Sequence, residues 1–593
     1  MAAQDITAKD TKGRRQGVPE DNDLTSISEA RALARAARQA QPILAEFTQE
    51  QIDAIVSAMA ETATLHAEAL AQLAVDETGY GVVADKIQKN LFSSRQVYQF
   101  IRSMKTVGVI DHLEDRKVVE IAEPFGVVAA IVPSTNPTST AIYKVLIALK
   151  ARCPIVISPH PSAARCITRT VEVMADAATR AGAPPGSIGW MKTVTLEGTQ
   201  ELMKTREVAV ILATGGMGLV RAAYSAGKPA YGVGPGNAPC YIERSADLRK
   251  AARDIMIGKT FDHGVLCSSP NSVVVDESVS EESRREFQAL GAYFMNEAEM
   301  QALAKGLVTP QRLPNPALVG KSAAFIAEKV GIQIPAGTHA LIAPLSGVGR
   351  DYPLSIEKLA PILSWYVVSD WRVGCERCIE ILRYGGMGHT MSIHSQNEEV
   401  ILQFGLRKPA FRICVNTPTT HGSIGLTTGL DPAMTLGCGG WGGNITSDNI
   451  SPRHLLNIKR LAYEVRPAQP SGVMSRAMSR HPIEAALPKS PAPPARRGIP
   501  AEVLSARIDE FLASRGYRAP SSPPSPTDPG TADRAPERVA TPEEPEAFIC
   551  EEDVRAALQS GRKLLVGDKT IVTPAARDLG DSHKVFVQNG WPR

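Results

Sequence analysis

Between Val118 and about Val233 the chain alternates short β-branched runs (Val127 to Val132, Pro154 to Ile157, Val208 to Leu212) with segments of helical periodicity. Strands joined through helices must run parallel, so this pattern predicts a parallel α/β sheet, most naturally a Rossmann-like nucleotide-binding layer. A second alternating section from Ala238 to about Asn416 predicts a second α/β domain, and the glycine-rich stretch Gly437 to Asn444 precedes a short return to Val465. Ahead of the sheets, Ser26 to about Lys105 reads as helical, with Ile52, Ile55, Val56 and Met59 on one face. Residues 1–24 are polar and aperiodic and are expected to be disordered.

The 593 residues, 43% hydrophobic and 21% charged, suffice for two or three domains with substantial cores. A net charge of +3 from 65 basic and 62 acidic residues offers no field to recruit nucleic acid or an anionic membrane. The longest apolar stretch, Phe125 to Val132, is too short to cross a bilayer and reads as a buried strand. Nine scattered cysteines and a first segment without the apolar core of a secretory signal lead us to expect a cytoplasmic, reducing setting.

One cysteine stands apart. Cys267 lies in Phe261-Asp262-His263-Gly264-Val265-Leu266-Cys267-Ser268-Ser269, where a glycine and small flanking residues give a sulfur access. This segment and four others, in order, resemble the aldehyde dehydrogenase superfamily and its coenzyme A-acylating branch, which includes half of the bifunctional alcohol dehydrogenases and the ethanolamine and propanediol utilisation enzymes. The other four are Glu77-Thr78-Gly79 with Asp85-Lys86 and Lys89-Asn90-Leu91; Pro133-Ser134-Thr135-Asn136-Pro137-Thr138-Ser139-Thr140; Ser158-Pro159-His160-Pro161; and Gly232-Val233-Gly234-Pro235-Gly236-Asn237.

The resemblance implies an aldehyde dehydrogenase fold with the cofactor domain over 25–235, a thiol-bearing catalytic domain over 236–425 and a return to the cofactor and oligomerisation region over 426–466. It implies that Cys267 is the nucleophile, adding to a short-chain aldehyde so that hydride leaves to NAD and an acyl thioester remains. Asn136 then supplies the oxyanion donor together with the Cys267 backbone N–H. Pro133, Ser134, Ser158 and His160 are implied cofactor contacts, as is Glu357, the family's nicotinamide-ribose ligand; read alone, Glu357 is a solvated surface carboxylate. Thr214, Gly215 and Gly216 link a strand to a helix and could offer backbone N–H groups to a pyrophosphate.

Hydrolytic members carry Glu-Leu-Gly-Gly where this chain has Gly232 to Asn237, so the water-activating glutamate is missing and the thioester is expected to await coenzyme A. A homo-oligomer, dimer or tetramer, is expected. His160 replaces a lysine usual in hydrolytic relatives, which bears on NAD against NADP. His389, in what reads as a glycine-rich turn, is set aside as structural, and Cys375 with Cys378 reads as part of a helix rather than a metal pair. Cys153, Cys166, Cys240, Cys414 and Cys438 are expected to be packing residues.

After Arg466 the composition turns to Pro, Ser and Ala, giving linkers over 467–499 and 518–547. Between them residues 500–517 predict an amphipathic helix with Leu504, Ile508, Phe511 and Leu512 on one stripe. It resembles the encapsulation peptides of bacterial microcompartment enzymes, which implies shell proteins as partners and the microcompartment lumen as the location. A small module over 548–593 resembles one appended to microcompartment-associated proteins. Two rivals to the acylating reading are a hydrolytic dehydrogenase releasing a free acid and a non-catalytic assembly protein that keeps the fold.

Overall fold

The structure is a computed structural model and describes residues 21–468, positions 506–508, 510, 511 and 514, and residues 548–567 and 570–588. It divides into two units, residues 1–469 and 470–593. In the first, a helix Asn22–Ala45 opens the fold, its start fixed by Asp21, whose side chain accepts from the N–H groups of Asp23 and Leu24. Residues 22–24, expected to lack order, are therefore helical because a capping aspartate precedes them, while residues 1–20 lie outside the described residues. The next helix, Gln49–Leu65, starts at a Thr48/Gln51 capping box and buries Ile52, Ile55, Val56 and Met59, the face read from the sequence.

Strands β1 (Gly108–Leu113) and β2 (Val118–Pro124) lead into a five-stranded sheet of β3 (Val127–Val132), β4 (Ile155–Pro159), β5 (Ile188–Trp190), β6 (Val208–Thr214) and β7 (Ala230–Val233). The order is β5-β4-β3-β6-β7 and every pair is parallel. The order reverses between β3 and β6, and such a switch point leaves a crevice beyond the carboxyl ends of the two strands. Under it, Lys144 of the helix Pro137–Lys150 is fully buried and donates to the carbonyls of Ile131 on β3 (2.7 Å) and Leu212 on β6 (2.9 Å). The same helix buries Ile142, Leu146 and Leu149 completely, each worth about 1.5–3 kcal/mol of transfer free energy.

The second sheet holds β8 (Ala238–Ile242), β9 (Pro270–Asp276), β10 (Ala292–Phe294), β11 (Ala340–Pro344), β12 (Ile362–Val368), β13 (Gly388–His394) and β14 (Ala410–Val415), in the order β10-β11-β12-β9-β8-β13-β14 and all parallel. The chain then returns: Ala433, Leu436, Ile450 and Leu455 join the core of the first sheet, and β15 (Leu456–Ala462) pairs antiparallel with β2. Tyr143 ties this return down by donating its hydroxyl to the carbonyl of Ile450.

In the second unit, β16 (Phe548–Ile549), a helix Glu551–Ser560 and β17 (Leu564–Val566) are followed by the same order again, β18 (Ile571–Val572), a helix Pro574–Ser582 and β19 (Phe586–Gln588). β16 pairs with β18 and β17 with β19, both parallel, around Ile549, Val554, Ala557, Leu564, Ala576 and Val585. Of the amphipathic helix expected over 500–517, the described positions are helical, with Ile508 and Phe511 exposed, whereas Leu504 and Leu512 lie outside the described residues. The linkers expected over 467–499 and 518–547 also lie outside them, apart from Ala468 and its preceding residue. Among the described residues no helix is long and apolar enough to cross a membrane, and no group of three His, Cys, Asp or Glu side chains could hold a metal ion.

Candidate active site

A cavity of about 440 Å³ opens at the switch point of the first sheet, and all ten candidate site residues line it. Pro133, Ser134 and Asn136 follow β3; Ser158 lies on β4 with His160 just after it; Thr214 ends β6 and Gly215 and Gly216 continue into the helix Met217–Tyr224, of which Gly216 is the N-cap. A Cβ on Gly215 would lie 2.7 Å from the Leu219 side chain, so glycine is needed to bring backbone to the cavity there, and Gly216 faces open space. Ser158 Oγ shares a hydrogen bond with Thr199 Oγ1 (2.8 Å). His160 Nδ1 accepts from the Ser162 N–H (3.2 Å), which places the ring proton of the neutral imidazole on Nε2.

Cys267 reaches the cavity from the loop ahead of β9. That loop begins with a turn in which Asp262, His263 and Gly264 all have left-handed backbone, φ 50°, 52° and 72°. Two consecutive non-glycine residues there are strained, and what holds them is charge: the fully buried Asp262 carboxylate accepts from Lys86 Nζ (2.9 Å), from Lys89 Nζ and from the Val82 N–H (2.8 Å). Burial alone would raise the Asp262 pKa, but Lys89 and Lys86 hold it below its ordinary value. The Cys267 thiol is pushed up to about 12, by burial first and then by Glu357 and Cys438, with Arg412 opposing them. It is therefore protonated near neutrality in this form of the protein.

Asn136, 8% exposed, precedes the helix Pro137–Lys150. Its Oδ1 accepts from Lys89 Nζ (2.7 Å), leaving Nδ2 to donate weakly to Thr135 Oγ1 (3.3 Å). On the other wall, the loop Gly234 to Asn237 carries no carboxylate and is pinned by Asn237, whose amide donates to the carbonyls of Ser355 (3.0 Å) and Ile381 (3.2 Å). Among the described residues, Glu357 is the one carboxylate lining the cavity. It is no solvated surface group: Oε1 accepts the Gly236 N–H (2.8 Å), and burial raises its pKa to about 8.

Two residues set aside in the sequence, His389 and Cys438, gather here with Arg412, which the sequence reading did not single out. A Cβ on Gly236 would collide with the Cys267 carbonyl and lie 3.3 Å from the His389 ring, so Cys267 and His389 pack on one glycine. His389 belongs to β13 rather than to a turn; it is fully buried, its Nδ1 is 3.0 Å from Thr390 Oγ1, its Nε2 has no hydrogen-bond partner among the described residues, and burial lowers its pKa to about 3. Arg412 on β14 is buried, donating to Ser447 (2.9 Å) and Gly437 carbonyls. Cys438, expected to be mere packing, borders a second cavity of about 700 Å³ whose wall includes Gly234, Pro235 and Glu357 from the first. Cys375 and Cys378 are buried in the helix Trp371–Tyr384, as read from the sequence. Glycines at 385, 386 and 388 with His389 were the available signal for a tight approach: Gly385 and Gly386 pack on Asn237 and Gly236, and Gly388 on the Cys438 carbonyl.

Residues 22–297 match the model of the aldehyde dehydrogenase family. The bifunctional aldehyde-alcohol dehydrogenase AdhE of Escherichia coli is 40% identical over 444 residues, 74% of this chain and 50% of the relative. The chain thus spans about half the length of that bifunctional protein. An acetylating succinate-semialdehyde dehydrogenase of Clostridium kluyveri is 36% identical over 431 residues, 73% of this chain and 95% of the relative. Among solved structures, an acetylating aldehyde dehydrogenase from Geobacillus thermoglucosidasius is 50% identical with a TM-score of 0.75, covering 76% of this chain and all of its own. A propionaldehyde dehydrogenase from the fucose utilisation microcompartment of Clostridium phytofermentans, 28% identical with a TM-score of 0.66, covers 73% and 97%, and was also solved with a cysteine or a histidine changed to alanine. The propionaldehyde dehydrogenase of Rhodopseudomonas palustris, 25% identical with a TM-score of 0.66 and covering 73% and 97%, was solved with bound CoA and an acylated cysteine. The chain belongs to the aldehyde dehydrogenase family, among relatives of its acylating type.

Proposed function

We propose that the protein oxidises a short-chain aldehyde with NAD and passes the acyl group from Cys267 to coenzyme A. The observation that carries this reading is the asymmetry about the thiol: a buried amide donor on one wall, Asn136, and a loop without a carboxylate, Gly234 to Asn237, on the other. The thiol proton passes to solvent, Cys267 Sγ bonds to the carbonyl carbon as the C=O π pair moves onto oxygen, and Asn136 Nδ2 and the Cys267 N–H stabilise the charge that oxygen takes. A bound nicotinamide supplies the hydride acceptor, and the residues fit such a group: Gly215 and Gly216 open the helix end, Ser158 and His160 offer donors beside it, and Pro133, Ser134 and Thr214 complete the wall. Glu357, fixed by Gly236, serves the ribose.

Loss of hydride leaves an acyl thioester, which the coenzyme A sulfur attacks, expelling the Cys267 thiolate. The coenzyme A thiol proton passes to solvent, while the neutral His389, packed with Cys267 on Gly236, stands beside the site of this step. We assign 500–517 and 548–593 to addressing rather than catalysis: the exposed Ile508 and Phe511 suit a groove on a microcompartment shell protein, and the enzyme works as a dimer or tetramer in the lumen of such a compartment. NADH formation from acetaldehyde or propionaldehyde with and without coenzyme A tests the activity. Turnover that depends on the thiol supports it, and equal turnover without it establishes the hydrolytic rival. Co-purification with shell proteins, lost on deleting residues 467–593, tests the address, and retention by the truncated enzyme would end it.

A further inference from the structure

The catalytic reading leaves one buried cluster without a part. Lys86 and Lys89, 1% and 2% exposed, face a single fully buried carboxylate, Asp262, with Asp85 at the edge accepting the Asp262 N–H (2.7 Å). Asp262 and, at the edge, Asp85 answer the two ammonium groups, yet burial followed by the repulsion of Lys86 brings Lys89 down to about 7. Burying such a cluster costs free energy, which directs attention to what it holds in place.

Geometry supplies it. Lys89 touches two things: Asp262, five residues ahead of the nucleophile, and Asn136 Oδ1 at 2.7 Å. In its protonated form, which Asp262 favours, Lys89 only donates, so it accepts one orientation of the asparagine amide, with oxygen toward Lys89 and Nδ2 turned away. Lys86 meanwhile donates to the Thr135 carbonyl (3.2 Å), and Asn90, one residue on, accepts from Thr138 Oγ1 (2.7 Å), so the helix Val83–Leu91 grips the chain on both sides of Asn136.

We infer that Lys89 is a positioning residue that locks the Asn136 amide with its N–H donors available to the oxyanion and ties that lock, through Asp262, to the turn carrying Cys267. This rests on Asn136 being the oxyanion donor. Without Lys89 the amide can invert and present oxygen to the developing negative charge, which repels it. Nothing is consumed and no bond changes; the effect is on transition-state stabilisation alone.

The test is a cycle in the full-length enzyme, measuring kcat, KM and melting temperature for Lys89→Met, Asn136→Ala and the double variant. Lys89→Met keeps the Lys86 pair with Asp262, so the variant should stay folded, which the melting temperature checks. We expect kcat to fall about 30- to 100-fold, below the roughly 10²- to 10³-fold of an outright lost oxyanion donor because the amide stays in place, with the KM for NAD unchanged within about twofold. In the Asn136→Ala background the same change should cost less than about threefold, because there is no amide left to orient. Lys89→Arg, which keeps a donor to Oδ1, should recover part of the loss. An equal loss in both backgrounds, or none in either, overturns the inference. If Asn136→Ala alone leaves kcat intact, the oxyanion assignment fails instead. Should Lys89→Met not fold, Lys89→Gln is read in the same cycle.

Discussion

The two walls that meet at Cys267 are built in opposite ways. On the Asn136 side, three charged side chains are almost wholly buried and every nearby backbone segment is tied by them. On the Gly234 to Asn237 side, the loop offers backbone, two glycines and a proline, and its one link to a charge is the Gly236 N–H held by Glu357. One wall is held rigid by buried charge, and the other is bare backbone. The contrast matches the proposed function, in which one wall stabilises negative charge on the substrate oxygen and the other gives water no carboxylate base, so that an acyl group on Cys267 waits for a better nucleophile.

The contrast can be broken most severely at its centre. Cys267→Ala should abolish NADH formation, a loss of at least about 10⁴-fold read in a continuous absorbance assay, because no other nucleophile can carry the acyl group. Removing the donor of the built wall, Asn136→Ala, should lower kcat about 10²- to 10³-fold, with a much smaller change in aldehyde KM. Furnishing the bare wall should change the product: Gly234→Glu places a carboxylate whose Cβ starts 2.9 Å from the movable Met217 sulfur, and should create coenzyme A-independent release of free acid, detectable by chromatography.

A gentler probe follows from the thiol itself. With its pKa raised to about 12, the Cys267 thiolate fraction grows about tenfold per pH unit across the range 7 to 9, and alkylation by iodoacetamide without cofactor should follow that slope. A plateau near pH 7 would show a thiol activated before substrate arrives. The smallest effect concerns stability. His389 and His394 are neutral and buried, with pKa values of about 3 against about 6.5 unfolded. Folded pKa values that lie below the unfolded ones mean stability fully present above 6.5 and lost as pH falls toward 3. The melting temperature should therefore decline in that window, less so in His394→Asn.

Much of this was readable before any coordinates. The runs that became β3, β4 and β6 announce themselves because strands buried on both faces must be apolar throughout, and the face of Gln49–Leu65 because its helical period is unbroken. Cys267 and Asn136 were marked by short motifs, and the structure brings both to one cavity. What escaped was whatever depends on distant segments. Lys89 and Asp262 lie 173 residues apart, and only their contact explains either the strained turn or the orientation of Asn136. Glu357 reads as an ordinary surface carboxylate until Gly236, 121 residues earlier, donates to it. His389 looked like turn material because glycines surround it, yet those glycines let a strand pass close to Cys267. The start of the first helix was missed for a local reason, since Asp21 caps it just inside a polar stretch.

The central claim is that the acyl group waits on Cys267 for a thiol, and intact-protein mass spectrometry reads it directly. Enzyme mixed with NAD and propionaldehyde but no coenzyme A should release about one NADH per subunit and gain one propionyl group on Cys267, which disappears as propionyl-CoA forms when coenzyme A is added. Continuous NADH and propionate production without coenzyme A, with no acyl group on the protein, would contradict the account.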